Sequence, residues 1–192
     1  GAVGMILRKG KVAYCEIVGY QDRENKISMS KDSIFRIYSM SKIFTSLGVM
    51  MLMEEGKLIL CDPISKYLPE LKDMKVGQTR VNPSTGKEEL VLGPANREVT
   101  IQDLLRHTSG FTYWFFGKPS LVKAEWKKHN PADYGITLEE MVTRISQAPL
   151  CYQPGTTWDY SQSTDVLGRL IEVISGMDFA TFIEKRICEP LG

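Results

Sequence analysis

The chain has 192 residues, 43% of them hydrophobic and 24% charged, with 24 basic side chains against 23 acidic ones for a net charge of +1. That length and composition can bury a sizeable core, and the interleaved charges exclude the electrostatic footprint of a nucleic-acid or anionic-membrane binder. No run of 18 apolar residues is present to span a bilayer, and two histidines with four cysteines that lack any Cys-x-x-Cys spacing argue against a metal site.

No metal or organic cofactor is therefore expected, and a small-molecule substrate is. Each cysteine, at positions 15, 61, 151 and 188, has apolar or strand-like neighbours. That pattern suits buried free thiols in a reducing, intracellular setting, with two disulfides as the alternative.

Residues 3–19 alternate as two strands around the Arg8-Lys9-Gly10-Lys11 turn, and a polar turn follows at 21–26. Ile34 to Tyr38 reads as strand-like and leads into Ser39-Met40-Ser41-Lys42 at the mouth of a helical run extending to Met53. That run is apolar on nearly every side, the pattern of a helix buried all round. Residues i and i+3 share a helical face, so Lys42 is placed to reach the Ser39 hydroxyl, as a serine nucleophile with a lysine base requires. Helix-terminal N–H groups beside Ser39 would favour a developing oxyanion. An N-capping serine with a lysine stem lying over apolar surface explains the same letters.

Ser-x-x-Lys also occurs at Ser28 to Lys31, in a polar turn, and at Ser120 to Lys123, running into Trp126-Lys127-Lys128-His129, which reads as charged, solvated surface. Gly56 is expected to end the first helix, and a short helical turn is expected before Tyr67. Residues 75–98 read as a small hairpin around Pro83-Ser84-Thr85-Gly86. Thr100 with Asp103 marks a helix start, residues 137–145 form an amphipathic helix, and Leu167, Leu170, Ile171 and Ile174 repeat at helical spacing up to Gly176. A further helix follows from Phe179 to Ile187.

Pro154-Gly155-Thr156-Thr157-Trp158-Asp159-Tyr160 is a turn that delivers a phenol just before the Leu167 helix. A tyrosine acting as a base near neutrality needs a neighbouring cation, and Lys42 is the candidate. A locally satisfied, half-buried tyrosine is the competing reading.

Phe35 to Lys42, Glu54 to Leu58, Leu104-Leu105-Arg106-His107-Thr108-Ser109-Gly110, Tyr160-Ser161-Gln162 and Ile187 to Gly192 together resemble, in order and spacing, the serine hydrolases related to class C β-lactamases. The resemblance covers nearly the whole chain. It implies an α/β fold of the α+β type, β-lactamase/D,D-peptidase-like, with an antiparallel sheet flanked by a helical region. The expected organisation is one partial domain over 1–192, with sheet strands in 1–36 and a mostly helical 37–192.

By the same resemblance Ser39 is the acyl-accepting nucleophile, Lys42 its activating partner, Tyr160 the general base, and Gln162 a substrate-binding amide standing where many members carry asparagine. A third family motif, Lys or His, then Thr, then Gly, does not occur before Gly192, so the chain is expected to represent part of the fold. The missing strands would then come from a complementary C-terminal chain, or the protein would be a homo-oligomer. The expected reaction is carboxylester hydrolysis, with D-amino-acid peptidase or β-lactamase as alternatives on an ester or amide substrate, and a non-catalytic scaffold as the alternative of another class. Phe111, Tyr113, Trp114, Phe115 and Phe116 read equally as the wall of an acyl pocket, as core, or as a subunit contact. His107 reads as structural and His129 as solvent-exposed.

Overall fold

Two short hairpins open the chain. In the computed structural model, which describes residues 1–192, they form a first unit, Gly1–Ser39, and the rest forms a second, Met40–Gly192. In the first unit β1 (Ala2–Arg8) pairs antiparallel with β2 (Lys11–Val18), with Met5 opposite Cys15. Lys9 and Gly10 both take positive φ, the turn chirality that matches strand twist. β3 (Tyr20–Asp22) pairs with β4 (Ile27–Ser28) around a turn in which the Asn25 N–H donates to Asp22 Oδ1 at 2.9 Å. Ile6, Leu7, Tyr14 and Ile17 are exposed, and a two-stranded ribbon open to solvent is marginal by itself. Residues 34–37, read as strand-like, form no ladder: alternating apolar letters make a strand only where a partner strand lies alongside, and here Ile34 stands in solvent.

The second unit is built on α1 (Ser41–Glu54) and α5 (Ser163–Ser175). The expectation that α1 is buried all round is corrected. Only Thr45, Gly48, Val49 and Leu52 are buried, a single i, i+3, i+4, i+7 stripe, while Ile43, Phe44, Leu47 and Met50 are exposed. That stripe packs on α5, whose Val166, Leu167, Leu170 and Ile171 are buried, each contributing about 1.5–3 kcal/mol on transfer from water. Gly48 allows the close approach, since a Cβ there would lie 2.9 Å from both Ile171 Cδ1 and Phe182 Cε1. Gly56 closes α1 at φ +72: its N–H donates to Met53 O and that of Lys57 to Leu52 O, which satisfies two terminal carbonyls.

The short helical turn expected before Tyr67 is a 3-10 turn, Ile64–Lys66. The hairpin expected at 75–98 is present as β5 (Lys75–Val81) and β6 (Glu88–Pro94). α2 (Ile101–Leu105) carries the Thr100/Asp103 capping box, and α4 (Leu138–Ser146) is capped the same way by Thr137 and Glu140. α3 (Leu121–His129) lies in the stretch read as solvated surface. Its charged letters hide a buried side in which Trp126 is 0% exposed and donates Nε1–H to Pro149 O at 2.7 Å. His129, expected in solvent, is half-buried near Glu125. Ser120, of the Ser-x-x-Lys at 120–123, is simply the α3 cap, accepting the Lys123 N–H.

α6 (Phe179–Ile183) continues into a π-turn, Glu184–Cys188. All four cysteines are free thiols. Cys61, in a turn, and Cys188, in the π-turn, are exposed rather than buried. No helix is long and apolar enough to cross a membrane.

Candidate active site

Two loop segments of the second unit run side by side and present Tyr160. The Gly155 N–H donates to Thr108 O at 2.7 Å, the Asp159 N–H to His107 O at 2.9 Å and the Cys151 N–H to Gly110 O at 2.8 Å. Gly110 sits at φ +89, and a Cβ there would approach Tyr152 O to 2.4 Å, so this pairing requires glycine. The His107-Thr108-Ser109-Gly110 run therefore serves as the rail on which the tyrosine loop is laid.

Tyr160 is half-buried in a ring of aromatic side chains. Its centroid lies 5.0 Å from that of His107, 5.5 Å from Tyr113, 6.1 Å from Phe116 and 6.4 Å from Trp158, the last stacked at 25°. Lys42, in the first turn of α1, holds Nζ 5.1 Å from the Tyr160 ring centroid, within cation–π range. Of the aromatic run at 111–116, Tyr113, Phe115 and Phe116 pack on one another, with Tyr113 and Phe116 reaching Tyr160, while Phe111 is core against Trp126.

Burial shapes the electrostatics here. It pushes the Asp165 carboxyl up, an effect that Lys42 and a hydrogen bond from Tyr113 partly offset. The Tyr113 hydroxyl donates to Asp165 Oδ2 at 3.3 Å, and burial together with that carboxylate raises the Tyr113 phenol. Burial lowers His107, with Lys42 adding to the effect and Asp159 opposing it. Beneath His107 lies a closed polar chain of Ser161, Ser163 and Ser109, all 0% exposed.

The structure thus brings Lys42 and Tyr160 together. Gln162 follows two residues on as the N-cap of α5; it is 3% exposed, and its Oε1 is buried with no hydrogen-bond donor. Ser39 is the last residue of the first unit and is exposed, within the 3-10 turn Tyr38–Met40. The N-cap of α1 is Met40 rather than Ser39. Tyr38 has φ +46, a costly region for an aromatic residue. Sequence reasoning set His107 aside, offered Tyr113 only within the aromatic run at 111–116, and gave no role to Asp165 or the three serines. The only available signal was the serine spacing, which reads as turn and cap chemistry.

The family profile described as Beta-lactamase matches residues 1–192. The chain belongs to the β-lactamase family. Esterase EstB of Burkholderia gladioli is 33% identical over 193 residues, covering 100% of this chain and 45% of that protein. Lovastatin esterase of Penicillium rubens is 34% identical over 162 residues, 84% of this chain and 38% of that protein. Among solved structures, EstCE1, described as a hydrolase with promiscuous acyltransferase activity, superposes with a TM-score of 0.81 at 30% identity, covering 99% of this chain and 46% of that one. This β-lactamase-family chain spans about half the length of the relatives it matches. Its fold is β-lactamase/penicillin-binding-protein-like, with helices and antiparallel hairpins, and its relatives include proteins described as esterases.

Proposed function

We propose that this chain carries the nucleophile and base of a serine hydrolase that forms an acyl-enzyme on Ser39, with carboxylester hydrolysis as its reaction. In this reading the two units belong to one domain. Tyr160, beside the Lys42 ammonium, takes the Ser39 hydroxyl proton as Oγ attacks the ester carbonyl. Backbone N–H donors, that of Ser39 among them, hold the oxyanion. The proton passes to the departing alkoxide, and water deprotonated by the same pair then releases the acid. Gln162 supplies an amide toward the substrate carbonyl.

The observation that carries the reading is the Lys42 Nζ at 5.1 Å over the Tyr160 ring, with Ser39 three residues before that lysine. The strained Tyr38 backbone just before Ser39 supports it, since strain of this kind clusters at functional residues. The names of the relatives favour an ester over a lactam or D-amino-acid peptide, as does glutamine in place of the asparagine that many members carry.

The test is turnover of p-nitrophenyl acetate and butyrate by the full protein, beside a cephalosporin and a D-alanyl-D-alanine peptide. Ser39→Ala should abolish ester turnover, and Tyr160→Phe should lower kcat by about 10²–10⁴, the usual contribution of a general base. Ester turnover surviving in Ser39→Ala would refute the proposal. Faster cleavage of the peptide or the lactam would move the substrate class, and a large particle with no turnover would favour a scaffold.

A further inference from the structure

His107 follows the C-cap of α2, and its ring packs into the aromatic group around Tyr160. Its backbone is in the left-handed region at φ +55, and its ring lies against Tyr160 at 5.0 Å and Trp158 at 6.2 Å. The Ser161 N–H donates to His107 Nδ1 at 3.3 Å, so Nδ1 must carry a lone pair and the proton of a neutral ring must sit on Nε2.

The hydroxyls beneath it agree with that tautomer. Ser109 Oγ accepts the Phe111 N–H at 3.1 Å and lies 2.8 Å from Ser163 Oγ. Ser163 Oγ lies 2.8 Å from Ser161 Oγ, and Ser161 Oγ lies 3.3 Å from His107 Nδ1. With Nδ1 fixed as an acceptor by the Ser161 N–H, the three buried hydroxyls can pass their protons in one direction toward it, from Ser109 to Ser163 to Ser161. All three serines are 0% exposed, so their hydroxyls must find partners within the protein.

We infer that His107 is a positioning residue for Tyr160: a neutral, Nε2-protonated imidazole whose Nδ1 terminates the Ser109–Ser163–Ser161 hydroxyl chain and fixes the peptide following the tyrosine. Protonating the ring replaces the acceptor with a donor facing the Ser161 N–H and adds a second positive charge beside Lys42 of α1. The charged and titratable groups around it are Lys42, Asp159 and Tyr160 on the adjoining loop, with Asp165 on α5 facing Tyr113. Burial and Lys42 already hold the imidazole below its ordinary value, so the neutral form prevails at neutral pH. As pH falls through that lowered value, the acceptor is lost and the tyrosine loop is released. The role rests on Tyr160 acting in the ester reaction, but the state of the ring is measurable without any turnover.

The experiment is 15N NMR of the imidazole nitrogens in the full chain, titrated from pH 8 to 4 and assigned with His107→Asn, alongside kcat and KM against pH. The expected result is the Nε2–H tautomer at pH 7 and an acid limb below pH 6.5 in kcat rather than KM. His107→Asn, whose Oδ1 restores an acceptor near Nδ1, should keep at least tenfold more kcat than His107→Leu and should lose the acid limb. An Nδ1–H or doubly protonated ring at pH 7 would overturn the inference whatever the activity, as would an acid limb that persists in His107→Asn. Turnover surviving in Ser39→Ala with the Nε2–H tautomer intact would instead sink the ester mechanism and leave the ring's bonding as described.

Discussion

Adding one methyl group at Gly48 tests how α1 is held against α5, and with it how Lys42 is held against Tyr160. A Cβ at this position meets Ile171 Cδ1 and Phe182 Cε1 at 2.9 Å, well inside ordinary contact, and both neighbours are 0% exposed and have no solvent to swing into. Gly48→Ala gains about 1 kcal/mol of helix propensity, while overpacking a closed core costs about 1–3 kcal/mol. The net expectation is a loss of about 1 kcal/mol. Ile171→Val, which deletes the obstructing Cδ1, costs about 1 kcal/mol alone. In the double variant the methyl fills the space that Cδ1 leaves, only Phe182 must adjust, and the total should fall short of the sum by about 1 kcal/mol.

Urea unfolding of the four proteins measures this directly, and ester turnover in the same set should recover in the double variant as α1 returns to its place. Strictly additive losses, or a Gly48→Ala protein more stable than the parent, would refute the argument that the glycine is there for close helix approach.

Three further outcomes follow from buried polar groups. Trp126→Phe removes the donor to Pro149 O and should cost about 1–3 kcal/mol by urea unfolding, because that carbonyl is left buried without a partner. Burial alone would push the Asp103 carboxyl up, but hydrogen bonds from Arg97 and Thr100 outweigh it and leave it below the ordinary carboxylate value. Its contribution is then present above that ordinary value and lost as pH falls through the lowered one. Asp103→Asn should be less stable by about 2 kcal/mol at pH 7, and the gap from the parent should narrow toward pH 3. Burial, with Asp159 adding to it, pushes the Cys151 thiol up to about 12. Iodoacetamide at pH 8 should therefore label the exposed Cys61 and Cys188 in the folded protein, and Cys151 only after urea is added.

What the sequence disclosed, and what it did not, divides by how local the controlling physics is. The Thr100/Asp103 box, the Gly56 and Gly176 stops and the hairpin turns are decided by a few adjacent residues, and they were legible. The burial of α1 was not, because apolar letters on every side do not say which stripe another helix will cover. Only the partner α5 selects Thr45, Gly48, Val49 and Leu52. α3 was hidden by its own lysines, which face solvent while Val122 and Trp126 turn inward.

At the site, Lys42 was the candidate cation for Tyr160, since a phenol acting as a base would need one, and the structure holds its Nζ 5.1 Å from that ring. The His107–Ser161–Ser163–Ser109 chain joins residues 54 apart in sequence. Each of its members, taken alone, is indistinguishable from an ordinary turn or cap residue.

The most direct test of Ser39 as the acyl-accepting residue is mass spectrometry of the full protein after a fluorophosphonate probe, with intact mass followed by peptide mapping. The account predicts one adduct, on the peptide containing Ser39, absent from Ser39→Ala and strongly slowed in Tyr160→Phe. An adduct on any other serine, or none on a folded protein that still turns over esters, would contradict it.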